Sequence, residues 1–273
     1  MKKIILCFLI SLVSSFSFHA SAFEPSDGNN TNKENEVDSY IRNIYKQINF
    51  KKSTPLDYEV FKMAYNGYMN LRTEGKLNST KQVLTICDYS RSSTEYRLWV
   101  IDLRSKRVLH NTYVAHGSAS GAEFATAFSN KNNSHKSSIG FYVTGDTYVG
   151  ECGVSLRLHG MDHGFNDAAF NRGIVLHGSR YVNGKYIASN KMAGRSFGCP
   201  AVPYESLMDI IFTIENGTCL FMYFPQKEYI QTAYWLNKKW DNMPTENIMA
   251  SLPIHSKADS TASYPASSTT LLK

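Results

Sequence analysis

Among its five cysteines the chain has no C-x-x-C pair, and the spacing is wide and irregular, which speaks against a zinc site. It has no run of lysine or arginine. The formal charge of +6 is scattered, so nucleic acid is not an expected partner, while attraction to an anionic cell-surface polymer stays open. Past the first eighteen residues, no stretch is long and apolar enough to span a bilayer. A G-x-S-x-G elbow is missing, so His116-Gly117-Ser118 does not mark a serine nucleophile. Ser118 and Ser120 are instead expected in a flexible loop lining a cleft. His159 and His163 stand four apart, but Gly160 and Gly164 argue against a helix that would converge them, and no third ligand is framed nearby. Neither a metal nor a cofactor is expected, and no internal repeat is visible.

What the chain does have begins with an address. Met1-Lys2-Lys3 precedes an apolar run from Ile4 to Phe18, followed by His19-Ala20-Ser21-Ala22. This reads as a secretory signal peptide over residues 1–22, with the mature chain starting near Phe23 and no integral membrane segment left after cleavage. The protein is therefore expected to be exported, to a periplasm, the cell envelope or the exterior. Cys7 falls in the apolar run and is read as passive. Cys87, Cys152, Cys199 and Cys219 survive, and an exported chain can use such residues in disulfides whose connectivity the spacing leaves open.

Residues 23–35 are polar and read as a disordered leader. Residues 36–80 read as a helical prefix. Val37, Ile41, Ile44, Tyr45 and Ile48 recur at helical spacing, and a second helix opens at Pro55, carries Val60, Phe61, Ala64, Tyr65, Tyr68 and Leu71 on one face, and stops at Gly75. From residue 81 to about 240 the period changes to two. Strands are expected at 82–87, 96–102, 107–115, 140–144, 154–158, 174–177 and 218–224, with a short helix over 203–215 and a closing amphipathic helix over 229–240. A long loop rich in Gly, Ser, Ala and Asn fills 116–138. Residues 241–273 read as a disordered tail. The pattern predicts a mainly β domain, a barrel or sandwich, with N-terminal helices and short helices packed on it. Cys87 and Cys219 fall in strand-like runs and are expected to be buried, whereas Cys152 sits in an exposed turn.

The stretch Gly194-Arg195-Ser196-Phe197-Gly198-Cys199-Pro200-Ala201-Val202 holds one cysteine in a glycine-flanked turn. Upstream, His177 ends the apolar run Ile174-Val175-Leu176 and is followed by Gly178. A thiolate is the reactive form of cysteine, and a neighbouring imidazole can take the proton. Gly198 is expected to let a substrate carbonyl approach, and the Cys199 N–H can hold an oxyanion, whereas Pro200 has no N–H to offer. Either Ser196 or a backbone carbonyl can fix the His177 tautomer.

His177-Gly178 followed by Ser196-Phe197-Gly198-Cys199 resembles the murein L,D-transpeptidase catalytic domain of the YkuD type, in the branch whose signature ends Gly-Cys-Pro-Ala. Ala127-Phe128-Ser129-Asn130, Ser137-Ser138-Ile139-Gly140-Phe141-Tyr142, Ser155-Leu156-Arg157-Leu158, Gly160-Met161-Asp162-His163-Gly164-Phe165-Asn166 and Arg172-Gly173-Ile174 follow that branch in its order. The resemblance covers roughly residues 81–230 and implies a β-sandwich or barrel-like catalytic fold. It implies a peptidoglycan stem peptide as substrate, cut between meso-diaminopimelate and a terminal D-alanine through a cysteine acyl-enzyme, and then joined to the amine of a second stem. Carried onto this chain, Cys199 is the nucleophile and His177 its base, with Ser196 and Gly198 in the motif turn. Many members keep His and Arg where this chain has Phe197 and Ala201. Arg157, Arg172, Arg180 and Arg195 are then the candidates for holding a substrate carboxylate, since a guanidinium suits that fork. The same residues serve an L,D-carboxypeptidase or endopeptidase. Two further alternatives are an inactive cell-wall-binding module and a disulfide-stapled protein with Cys199 bridged.

Overall fold

A computed structural model of the chain describes residues 28–244. The expected signal peptide lies outside the described residues, as do 23–27 of the leader and 245–273 of the tail. The first element, α1 (Gly28–Gln47), starts well inside the segment expected to be disordered. Ile41, Ile44 and Ile48 are buried. That apolar stripe nucleates the helix, and extension over the polar residues before it then costs little. Contacts divide the chain at Glu36, and the compact unit from Val37 onward holds everything discussed below.

Helix α2 (Tyr58–Thr73) is capped by Asp57, whose carboxylate accepts from the Glu59 and Val60 N–H groups at 2.8 and 3.3 Å. Pro55 thus precedes the helix rather than opening it. The expected apolar face is the buried one, and the chain leaves the helix through Gly75 at φ 66°. At Gly67 a Cβ would lie 2.0 Å from the Phe141 ring, so the helix rests directly on the sheet beneath it.

That sheet has eight strands: β1 (Val83–Asp88), β2 (Leu98–Asp102), β3 (Arg107–Thr112), β4 (Gly140–Gly150), β5 (Gly153–Gly160), β6 (Val175–Ser179), β7 (Ala201–Pro203) and β8 (Cys219–Tyr223), in spatial order β3-β2-β1-β8-β4-β5-β6-β7. The β1–β8 and β6–β7 pairs are parallel, and the other neighbours are antiparallel. Past β3 the chain reaches the far edge, where the Ala115 N–H donates to the Ala201 carbonyl at 2.8 Å. The sheet is thereby nearly closed into a barrel. The remaining helices are α3 (Gly184–Asn190), α4 (Tyr204–Ile214), α5 (Lys227–Thr232) and α6 (Tyr234–Asn237).

Alternation along the strands divides the core in two. Leu84, Ile86, Trp99, Ile101, Phe141, Cys219 and Phe221 face one cluster, with α1, α2, α5 and α6. Leu98, Val100, Cys87, Tyr142, Leu220 and Met222 face the other, with α4. Strands covered on both faces read as continuous apolar runs, which is why β1 and β8 are buried throughout. Cys87 and Cys219 therefore point to opposite faces. All four described cysteines are free thiols, so Cys199 is not bridged.

Candidate active site

Strand β6 places His177. Its parallel register with β7 sets His177 beside Ala201 and Gly178 beside Val202, and the His177 N–H reaches the Pro200 carbonyl at 3.3 Å. Two residues back along the same register stand Val175 and Cys199. There the Val175 N–H contacts the Cys199 sulfur at 3.5 Å, and the thiol points at the Gly173 carbonyl, 3.7 Å away. Residues two apart share a face of a strand, so the register brings the imidazole and the thiol to one end of this strand pair.

The His177 imidazole is buried, and its Nδ1–H donates to the Gly178 carbonyl at 3.0 Å. That bond fixes the proton on Nδ1 and leaves Nε2 with a lone pair. A backbone carbonyl, not Ser196, sets the tautomer. Burial lowers the imidazole pKa below 6.5, opposed in part by the Gly178 carbonyl. Burial likewise raises the Cys199 thiol above 9.0, opposed by the Val175 N–H; Cys152 adds to the rise, and Arg172 opposes it. Both shifts favour a neutral resting pair.

Ser196 is committed to the turn. Its hydroxyl donates to the Cys199 carbonyl at 2.6 Å and accepts the Gly198 N–H at 3.1 Å. Gly198 sits at φ 127°, and a Cβ there would lie 2.8 Å from the Lys136 carbonyl and 2.9 Å from Ile174. The space beside Gly198, expected to admit a substrate carbonyl, is filled by the protein itself. Among the described residues the Cys199 N–H has no acceptor.

The four arginines part company. Arg172 lies against the turn, where its guanidinium donates to the carbonyls of Ser129 and Lys136 and to the hydroxyls of Ser134 and Ser138. Arg157 pairs with Asp146 at 2.5 Å and covers the Tyr148 ring, both on the β4–β5 hairpin. Arg195 is exposed and bonds the Gly121 carbonyl at 3.2 Å. Arg180 is exposed just beyond β6. His163 is fully exposed and pairs with Asp167, while His159 stacks on Phe170, and no metal cluster occurs among the described residues.

Sequence reasoning missed the brace behind the turn. Ser120 is fully buried, not part of a loose cleft wall, and its hydroxyl accepts the Ser137 N–H at 2.9 Å. The Ser137 hydroxyl accepts the Gly117 N–H and donates to the Gly198 carbonyl, both at 3.0 Å. The Ser196 N–H reaches the His116 carbonyl, and the Ser118 N–H reaches the Ser196 carbonyl. Beneath this segment Arg97 is completely buried. It donates to the carbonyls of Val114 and Arg91 and to His116 Nδ1 at 2.9 Å. Burial, then the Arg97 charge, pushes the His116 pKa down to about 4. The available signal was a lone arginine directly ahead of the apolar run of β2, because arginine is almost never fully buried without partners.

The sequence model of the L,D-transpeptidase catalytic domain matches residues 52–223, a span that takes in α2 and every strand. Among solved structures, an L,D-transpeptidase from Mycobacterium smegmatis aligns with a TM-score of 0.33 at 11% identity, over 52% of this chain and 59% of that one. An L,D-transpeptidase in complex with imipenem aligns at 0.32 and 10%, over 52% of this chain and 59% of that one. One from Xylanimonas cellulosilytica aligns at 0.29 and 13%, over 69% and 93%. No curated protein sequence matches the chain.

Proposed function

The chain belongs to the L,D-transpeptidase catalytic domain family, and on that footing we propose that it is an exported cysteine acyl-transferase acting on peptidoglycan stem peptides. The observation that carries this reading is the β6–β7 register. It sets a partly buried thiol two residues along from an imidazole whose Nε2 is left free.

In the proposed cycle the Cys199 sulfur attacks the carbonyl of the meso-diaminopimelate–D-alanine bond, and its proton passes to His177 Nε2. The neutral resting pair means that this transfer accompanies attack rather than preceding it. The unpartnered Cys199 N–H is the donor for the tetrahedral oxyanion. Collapse breaks the C–N bond, the D-alanine amine leaves with the proton from His177, and a thioester remains. The amine of a second stem then attacks, His177 accepts its proton, and the new amide frees the thiol. Export rests on residues 1–22, and cell fractionation tests it: recovery of the chain in the cytoplasm overturns that part.

Incubation with a stem tetrapeptide, followed by intact-protein and product mass spectrometry, tests the chemistry. The expected result is a mass increase at Cys199 equal to the stem less D-alanine, absent in Cys199→Ala, together with cross-linked dimers. Shortened stems without dimers would reassign the acceptor to water. No adduct under any condition would overturn the enzyme reading in favour of a wall-binding module.

A further inference from the structure

We propose that Arg172 is the positioning residue that brings positive charge to the Cys199 thiolate while clamping the 129–138 loop against the nucleophile turn. The proposal rests on the reading of Cys199 as nucleophile.

The geometry begins with the backbone. The chain enters β6 through Gly173, held at φ 66°, and the carbonyl of Gly173 is the one the thiol faces. Arg172 is therefore one residue upstream of the sulfur's own contact. Its guanidinium reaches the residue before the cysteine: a Cβ built on Gly198 would stand 3.5 Å from Arg172 Nη2. The four contacts of that guanidinium are 2.7 Å to Ser129 O, 2.5 Å to Ser138 Oγ, 3.2 Å to Ser134 Oγ and 2.8 Å to Lys136 O. All four partners are neutral, and none of its partners among the described residues is a carboxylate. An arginine has five N–H donors, and here four are taken by the protein. It has no planar fork left for a substrate carboxylate, which removes the substrate-binding role that sequence alone suggested for it.

What remains is its charge. A half-buried guanidinium ringed by neutral acceptors lacks an anion, and the anion this site forms is the thiolate. The groups facing Cys199 are His177 on β6, Tyr181 just beyond β6, Cys152 at the β4–β5 turn and Arg172. Arg172 is the cation of that set, because burial holds His177 neutral. It opposes the burial that raises the thiol. The same four contacts tie down the loop whose Lys136 carbonyl abuts Gly198 and whose His135 ring stacks on Phe197 at 4.4 Å. One side chain thus contributes to the field at the sulfur and holds the wall beside it.

The test is the pH dependence of Cys199 alkylation by iodoacetamide, read by peptide mass spectrometry so that exposed Cys152 does not interfere. Loss of a cation close to a thiolate is expected to raise the alkylation midpoint by about one pH unit in Arg172→Met and Arg172→Gln, a roughly tenfold slower reaction near neutrality. Arg172→Lys keeps the charge but not the fourfold clamp, and should leave the midpoint near that of the parent. Ser134→Ala with Ser138→Ala loosens the clamp, keeps the charge, and should do the same. An unchanged midpoint in the neutral variants overturns the proposal, as does a lysine variant that shifts as far as they do. If the neutral variants do not fold, the lysine variant decides alone: a midpoint raised by about one pH unit overturns the proposal, and one near that of the parent supports it. The stem-peptide adduct is measured separately. A protein that alkylates as expected but never forms that adduct overturns the proposed function rather than the charge assignment.

Discussion

On the proposed mechanism, one carbonyl and burial together fit His177 to act as the base. The Gly178 carbonyl holds the Nδ1 proton, and burial disfavours the imidazolium, so the neutral form persists to lower pH than for a solvated histidine. The acid limb of kcat/KM is therefore expected to lie below pH 6.5. The thiol, raised above 9.0, keeps its proton through the neutral range, so activity should stay level until the pH approaches that value. A pH–rate profile checks this, and an acid limb centred above 6.5 contradicts it. Gly198 supplies a second prediction. An alanine there meets both a positive φ and a carbonyl at 2.8 Å. Backbone strain of about 1–3 kcal/mol is expected to be relieved by moving the turn, and a displaced nucleophile loses on the order of a hundredfold in rate. Adduct formation by Gly198→Ala should fall by that factor while its far-UV circular dichroism stays that of the parent.

Between elements, the most telling contact joins the start of β4 to α5 through one acid. The buried Asp162 carboxylate accepts the Phe141 N–H at 2.7 Å and the Tyr229 hydroxyl at 2.9 Å. Burial lifts its pKa to about 6, against the opposing pull of those two donors. The folded protein thus holds this proton more tightly than the unfolded chain, whose carboxyl titrates near 3.8. Its stabilising contribution is complete below pH 3.8 and is lost as pH rises to 6, amounting to roughly 3 kcal/mol by neutrality. Asp162→Asn should flatten the urea-unfolding free energy across that window, and an unaltered pH slope would contradict the assignment. The neighbouring helices show what sequence could and could not tell. The apolar face of α2 was legible because each of its residues follows one period. The closing segment was read as one helix, yet it breaks at Ala233 into α5 and α6. Buried Asn70 on α2 holds the carbonyls of Trp235 and Lys238 at 2.9 and 2.8 Å. Those contacts join residues 165 and 168 apart in sequence, and local periodicity does not encode them. Strand β7 escaped notice for a simpler reason: three residues are too few to display alternation.

For the molecule as a whole, the mainly β class and most strands were legible from alternation, and the neighbouring segments that carry His177 and Cys199 from motif. The strand order was not, since β8 inserts between β1 and β4. Nor was the brace through Arg97, His116 and the buried serines, which a serine-rich sequence disguises as loose loop. Both depend on which distant segments meet. The closing contact between Ala115 and Ala201 has a kinetic consequence. It joins the two edges of the sheet, and the nucleophile turn lies on that seam. Contacts between segments far apart in sequence form slowly, because loop closure comes before its reward. Closing the seam also requires the strands between its two edges to be paired already, so the Cys199 site is expected to mature at the end of folding. In refolding from denaturant, tryptophan fluorescence should recover first, with stem-peptide adduct formation at Cys199 following in the slowest phase. Adduct formation keeping pace with the earliest fluorescence change would rule out that order. On the proposed mechanism, competence for acyl transfer would then report complete folding, so that a half-closed barrel has no working Cys199 site.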